Sequence, residues 1–500
     1  MKVQQLLEHH GILTNPFADE DAQTDPVFKD HCIASTYHPT WDKIYGSPAE
    51  PATSIVFGEK GAGKTAMRLQ IVRHLAEHNL RQPGSRVFVV EYDDFNPFLD
   101  RFADRLSVRQ QRRGRVLAEW KLWDHMDAIL SLGVTGLVDQ LLGVRHPNGP
   151  AGNQVSDNDI MRLDRHQRRD LMLLAACYDQ STDETLKSRM GRLRRKLRFA
   201  TCRIHWDRLL GYVTVLAVIG VLVYWRRWEW LQTPWPYLTA AAGSLPWLVR
   251  TAIWHGRARA VIRNVRVGSR RVGSLRRLLM RFTQNEIAGQ PLPCNPRTDD
   301  RYELLRKLQG SLNTLGFSGI IVLVDRVDEP HLINGSAEQM RALIWSMLDN
   351  KFLKHPGIGF KLLLPIELSL YLEREDRDFY QRARLDKQNL VPSLEWTGEA
   401  LYDVASARIR ACASADASPD LPALTDLFDD SVSNERLIEA LRSLRVPRHL
   451  FKFMYRLMVD HCNAHTDDQP VWQISSDRFE STLAVYSREQ DAVDRGVRAG

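Results

Sequence analysis

Gly58-Glu59-Lys60-Gly61-Ala62-Gly63-Lys64-Thr65 fits the spacing GxxxxGK[ST], a pattern whose chemistry is phosphate binding. Glycines let the backbone curl tightly enough for several N–H groups to converge on phosphate oxygens, and the following helix adds its positive end. In that arrangement Lys64 brings a mobile positive charge to the β- and γ-phosphates of ATP, and the Thr65 hydroxyl ligates Mg2+. Such a site also needs a carboxylate at the tip of a neighbouring strand to help hold the metal. The run Ile320-Ile321-Val322-Leu323-Val324 leads into Asp325-Arg326-Val327-Asp328-Glu329, so Asp325 is expected at the metal, through water. Arg326 stands where a glutamate would directly follow. Asp328 or Glu329 must then orient or deprotonate the attacking water. Glu91, Asp93 and Asp94 form a competing acidic cluster, but they follow the glycine loop too closely along the chain.

The elements that position these residues are legible around them. Ser54-Ile55-Val56-Phe57 is short, uncharged and β-rich, and reads as a buried strand stopping at Gly58. Met67, Ile71, Val72 and Leu75 then recur at helical spacing, and Val87-Phe88-Val89-Val90 reads as a second buried strand. Strand, helix, strand in that order predicts an α/β fold with a parallel sheet and right-handed crossovers. Sheet character returns at Ile320–Val324 and near Gly359–Leu364. Helical patterns dominate from Phe98 to Tyr178 and again, in a smaller domain, from about Glu395. At 500 residues, with 44% hydrophobic and 26% charged residues, the chain has the balance of a globular protein and length for about three domains. Six scattered cysteines without a CxxC pair argue against a disulfide scaffold or a zinc site. The first residues lack the apolar core of a signal peptide, which predicts a cytoplasmic body.

With both motifs placed, the chain resembles the AAA+/STAND branch of P-loop ATPases over roughly residues 12–100 and 300–465. The spacing of Asp325, Asp328 and Glu329 is similar to that of STAND and origin-recognition-like members. The resemblance implies a P-loop NTPase sheet with a helical C-terminal lid. It also implies that Val446-Pro447-Arg448-His449-Leu450 matches the lid segment whose arginine contacts the γ-phosphate, so Arg448 joins Asp328 and Glu329 as a candidate catalytic residue. The polar sensor of such proteins has no clear counterpart. Glu367 is the nearest polar group, and Arg374, Arg377, Arg382 and Arg384 supply candidates for an arginine finger.

About 260 residues separate the two motifs, and the excess holds two uncharged stretches, Leu209–Trp225 and Trp230–Val249. Each has the length for a membrane helix, which needs about 20 apolar residues. The second is interrupted by Gln232, Thr233, Pro234, Pro236 and Pro246, and Arg226 to Glu229 would make a tight turn. Nine basic residues between Lys187 and Arg208 precede the first stretch and ten between Arg250 and Arg281 follow the second. That bias puts both flanks in the cytoplasm and predicts a hairpin anchored in the inner membrane through residues 209–249. P-loop ATPases with helices inserted here resemble the KAP family.

The expected organisation is therefore 1–100, N-terminal approach and first half of the ATPase core; 101–186, a helical insertion; 187–290, the transmembrane hairpin; 291–394, the second half of the core; and 395–500, the lid and tail. The expected function is a membrane-tethered ATPase that uses Mg-ATP as a conformational or oligomerisation switch, with a homo-oligomer as its working form. A role in bacterial antiphage defence is implied by the resemblance alone. Two alternatives stand beside it: a DNA-associated origin-recognition-like regulator with the arginine runs on phosphates, and an ATP-binding scaffold that does not hydrolyse.

Overall fold

The computed structural model describes residues 1–494 except 35, 113–115, 145–154, 201–205, 227, 349–350 and 415–421. Cys202 and Arg203, counted above among the cysteines and the basic residues, and Arg227 of the expected turn lie outside the described residues. Among the described residues five strands form one parallel sheet: β1 (Ser54–Gly58), β2 (Arg86–Tyr92), β3 (Phe317–Val324), β4 (Ile358–Pro365) and β5 (Asn389–Val391). Their order is β2-β3-β4-β1-β5. Uncharged runs suit such strands because a parallel sheet is covered on both faces. By contact the chain divides into two compact units, residues 1–78 with 323–341 and 349–500, and residues 79–322 with 342–348.

In the first unit β1 lies between β4 and β5, with Val56 opposite both Leu363 and Val391. Every residue of β1 and β4 is buried, including Lys361. Its ammonium donates to the carbonyls of Ile44 (2.7 Å) and Tyr45 (3.0 Å), closing the end of the short helix Trp41–Tyr45. Burial pulls this amine down to about 8. Helix α1 (Lys64–Arg81) follows the glycine loop.

The helical C-terminal part of this unit also incorporates the beginning of the chain. Leu6 and Leu7 of the helix Val3–His9 share a core with Leu401, Leu437, Leu441, Leu450 and Met454. The terminal amine donates to His465 O at 2.7 Å, and Arg408 pairs with Asp25 at 2.6 Å, both nearly inaccessible.

The second unit contains α2 (Leu122–Leu142), α3 (Arg165–Tyr178), α4 (Leu186–Lys196), α5 (Trp206–Tyr224), α6 (Trp235–Asn264) and α7 (Asp299–Thr314). It buries charge in closed networks. Arg301 grips Asp127 with two hydrogen bonds of 3.1 and 3.0 Å, and Tyr178 donates to the same carboxylate at 2.7 Å. Arg189 joins Asp139 (2.7 Å) and Asp179 (2.8 Å).

Helices α5 and α6 pack along one another, with Gly243 set so tightly against Thr214 that a Cβ would lie 2.1 Å from its hydroxyl oxygen. Small residues at such a seam are what let two apolar helices approach. At its base Asp207, the lone acid of the first basic run, pairs with Arg250 at 3.2 Å. The second apolar stretch differs from expectation. Trp228–Gln232 forms a 3-10 turn, and α6 begins only at Trp235, with Pro234 as its N-cap. The connection is therefore longer than Arg226 to Glu229, because Pro234 and Pro236 suit the start of a helix, whereas Pro246 stands inside α6 and removes one N–H from its ladder.

Removing one partner of a fully buried ion pair strands the other. Asp127→Ala is expected to cost about 3–5 kcal/mol, read from the urea midpoint of the purified protein. A loss below about 1 kcal/mol would show that Arg301 finds water or another acceptor.

Candidate functional site

Between β1 and α1 the chain turns through Gly61 (φ +91°) and Gly63 (φ +92°), a region side chains disfavour. Gly61 has a second constraint. A Cβ there would stand 2.5 Å from Cβ of Arg448, which reaches the loop from α11 (Pro447–Asn463); α8 (Ala337–Leu348), α9 (Gly398–Ala411) and α10 (Asn434–Leu444) precede it along the chain. The Arg448 N–H donates to Gly61 O at 3.4 Å, and the Trp396 indole N–H donates to Ala62 O at 2.9 Å. The loop is thus held from outside while its interior stays open. Lys64 folds back across it, its Nζ donating to Gly58 O (2.7 Å) and Glu59 O (2.9 Å). Burial lowers the affinity of this amine for its proton, and the charges of Asp328, Asp325 and Glu367 oppose that.

Asp325 follows β3 directly and is 1% exposed. Its Oδ2 accepts a hydrogen bond from the Thr65 hydroxyl at 3.0 Å and lies 3.3 Å from Nε of Arg68. Burial raises its pKa, while Arg68 and the Thr65 hydrogen bond work to keep it ionised. Arg68 was not singled out from sequence, although it stands one helical turn after Lys64 and so shares its face. Arg326 adopts φ +59° and turns to Glu329, with 3.4 Å between guanidinium and carboxylate. The Glu329 side chain is 55% exposed, and Asp328 is half-buried.

One cleft is lined by Lys60, Gly61, Gly63, Lys64, Thr65, Asp325, Asp328, Glu329 and Arg448. Of the loop residues expected at the ligand, Gly58, Glu59 and Ala62 do not line it. They act through their carbonyls, two on Lys64 and one on Trp396. Glu367 opens the helix Glu367–Glu373 and reaches the site only through its charge, and Arg374, Arg377, Arg382 and Arg384 do not line the cleft either. Asp325, not Glu91, Asp93 or Asp94, is the carboxylate bonded to Thr65.

The other wall was not legible in advance. Glu20, Asp21, Phe28, Cys32 and His38 from the N-terminal segment line it, with Phe451 and Arg408 from the helical part. Glu20 Oε2 is 3.8 Å from Arg448 Nε and 3.4 Å from Lys452 Nζ. Cys32 is no nucleophile, since burial pushes its thiol up to about 11. The cleft thus gathers loop donors, a mobile ammonium, a guanidinium and a buried carboxylate–hydroxyl pair, a set suited to a polyanion that brings a hard cation. Among the described residues no cluster of three or more His, Cys, Asp or Glu side chains could hold a metal alone. A cation at Asp325 would take its remaining ligands from water and the anion, as Mg2+ does at phosphates.

Gly61→Ala tests how Arg448 is held. It should cost about 1–3 kcal/mol through backbone strain and push the start of α11 off the loop. Amide exchange should rise at both 58–65 and 446–450. Faster exchange in the loop alone would mean that the Arg448 contact contributes nothing.

No protein-family model, curated protein or solved structure matches the chain, so the chemistry of this cleft rests on its own side chains.

Proposed function

We propose that the chain is a membrane-tethered P-loop ATPase that binds Mg-ATP and uses binding and hydrolysis as a switch. The observation carrying this reading is the 3.0 Å hydrogen bond between Thr65 and the buried Asp325 in the cleft that also holds Lys64. A glycine turn that bound nothing would have no use for a buried carboxylate beside its first helical hydroxyl. Such a carboxylate is costly to bury, and Arg68 offsets its charge only in part, since burial still raises its pKa.

The residues fit the metal they would hold. Thr65 and Asp325 supply hard oxygens, and bound Mg2+ would neutralise charge building on the β- and γ-phosphate oxygens. Lys64 exchanges two carbonyl partners for phosphate, a gain because a charge-assisted hydrogen bond is roughly twice as strong as a neutral one. Arg448 adds a second positive charge. Its Nε is buried without a hydrogen bond, so phosphate oxygens would satisfy it. Asp328 and Glu329 are the groups able to orient water. Glu329 is tied to Arg326, and this favours slow turnover, with an ATP-holding scaffold as the limiting case.

The tether rests on α5. Asp207–Tyr224 has a mean hydropathy of 1.7 and is only 11% buried, and it is the one described helix long and apolar enough to cross a membrane. A core helix of a soluble protein would be mostly covered. Here Leu216, Ile219 and Val223 are exposed, as are Trp235, Leu245 and Leu248 on α6. Exposed apolar surface between two basic flanks favours lipid over DNA as the partner.

Lys64→Ala should weaken ATP binding by about 10- to 100-fold, the worth of one charged hydrogen bond, and abolish phosphate release. Wild-type turnover in that variant would remove the assignment. Independently, sodium carbonate washing of membranes should leave the chain in the pellet, and its release would show a peripheral association.

A further inference from the structure

A second concentration of positive charge lies in the unit that carries α5 and α6. Arg165, Arg168 and Arg198 line a cavity of 440 Å³ with Leu163, Phe199 and Ala200. Arg165 and Arg168 stand on the first turns of α3, where the helix already presents its positive end, so each is misplaced by about 0.3–1 kcal/mol. Arg198 follows α4 with φ +49°. Like charges gathered this way need an anion, and the protein supplies little. Glu286 pairs with Arg165 at 3.1 Å, and Asp164 accepts the Gln167 N–H as the cap of α3. Arg168 donates to Met161 O at 3.1 Å, while its Nε is buried without a hydrogen bond. Arg198 has no carboxylate partner among the described residues.

The position of the cavity identifies the anion. Ala200 stands seven residues before Asp207, where the apolar span of α5 begins, so at most about 25 Å of chain separates the two. Leu163 and Phe199 give the cavity an apolar wall beside its guanidiniums, matching a ligand that is charged at one end and apolar beyond it. Resting on the membrane reading above, we propose that Arg165, Arg168 and Arg198 bind the phosphodiester of an anionic phospholipid headgroup at the foot of the α5–α6 pair. The surrounding basic runs attract anionic lipid diffusely, whereas this cavity holds one headgroup in place.

The test uses the full chain solubilised in a neutral detergent, with lipid binding followed by native mass spectrometry. Phosphatidylglycerol should bind in preference to phosphatidylcholine. Each arginine removed, in Arg168→Gln and Arg198→Gln singly and together, should lower that preference about fivefold. Arg198→Lys should keep most of it, and far-ultraviolet circular dichroism checks that the variants fold. Unchanged preference in the folded double variant overturns the proposal. Displacement of the lipid by inorganic pyrophosphate at equal concentration also overturns it, making free phosphate the ligand. Carbonate-resistant membrane retention without any lipid preference overturns this site and leaves the tether standing. Release by carbonate removes both.

Discussion

A carboxylate removed from water dictates how the glycine-loop region is built. Asp325 cannot be ionised in an apolar setting without a partner, and it has two, the Thr65 hydroxyl and the Arg68 guanidinium. Both stand on the first turns of α1, so the glycine loop and the end of β3 have to meet in a fixed register. A hydroxyl that donates its only proton to a carboxylate keeps its lone pairs for another electrophile and becomes a better ligand for a hard cation. The same contact thus satisfies the folded protein and would suit the metal of the proposed function. Arg68 supplies the positive charge meanwhile, and burial of Asp325 makes any further cation welcome.

What the sequence revealed here was local. β1, the loop and α1 are contiguous, and an uncharged run, a glycine pattern and a helical period describe them without reference to anything distant. Asp325 was legible because it ends a second such run. The far wall of the cleft was not, because Glu20, Phe28 and His38 reach it through long-range packing with no local signature. Nor was the docking of Leu6 and Leu7 into the helical core, since two leucines in a polar lead-in say nothing of partners four hundred residues away. β5 escaped notice for a simpler reason: three residues are too few to show a period.

The basic runs show where counting charges misleads. Read along the chain, all nineteen of those residues look available to lipid or nucleic acid. In the fold several are structural. Arg189 is locked between Asp139 and Asp179, Arg266 grips Asp124 with a 2.9 Å contact, Arg250 holds Asp207, and Arg270 donates to Ala175 O. The surface charge around the apolar helices is therefore smaller and more localised than the sum implies. Sites where guanidiniums outnumber the carboxylates beside them stand out against that background.

Arg326 links backbone conformation to the rate of the proposed reaction. It occupies the position after Asp325 with φ +59°, a conformation that costs a non-glycine residue of order 1 kcal/mol and persists only where the surroundings impose it. The bend leaves Asp328 as the charge that most strongly supports Lys64 and turns Glu329 outward onto the guanidinium. Burial raises the proton affinity of Glu329 and Arg326 opposes it, but a carboxylate held on a guanidinium is not free to meet water, so the loop that stabilises the lysine would also restrain the group best placed to activate water in the proposed reaction. In the proposed ATPase, fast turnover would need that ion pair to open. A switch that must stay loaded for long periods gains from keeping it closed.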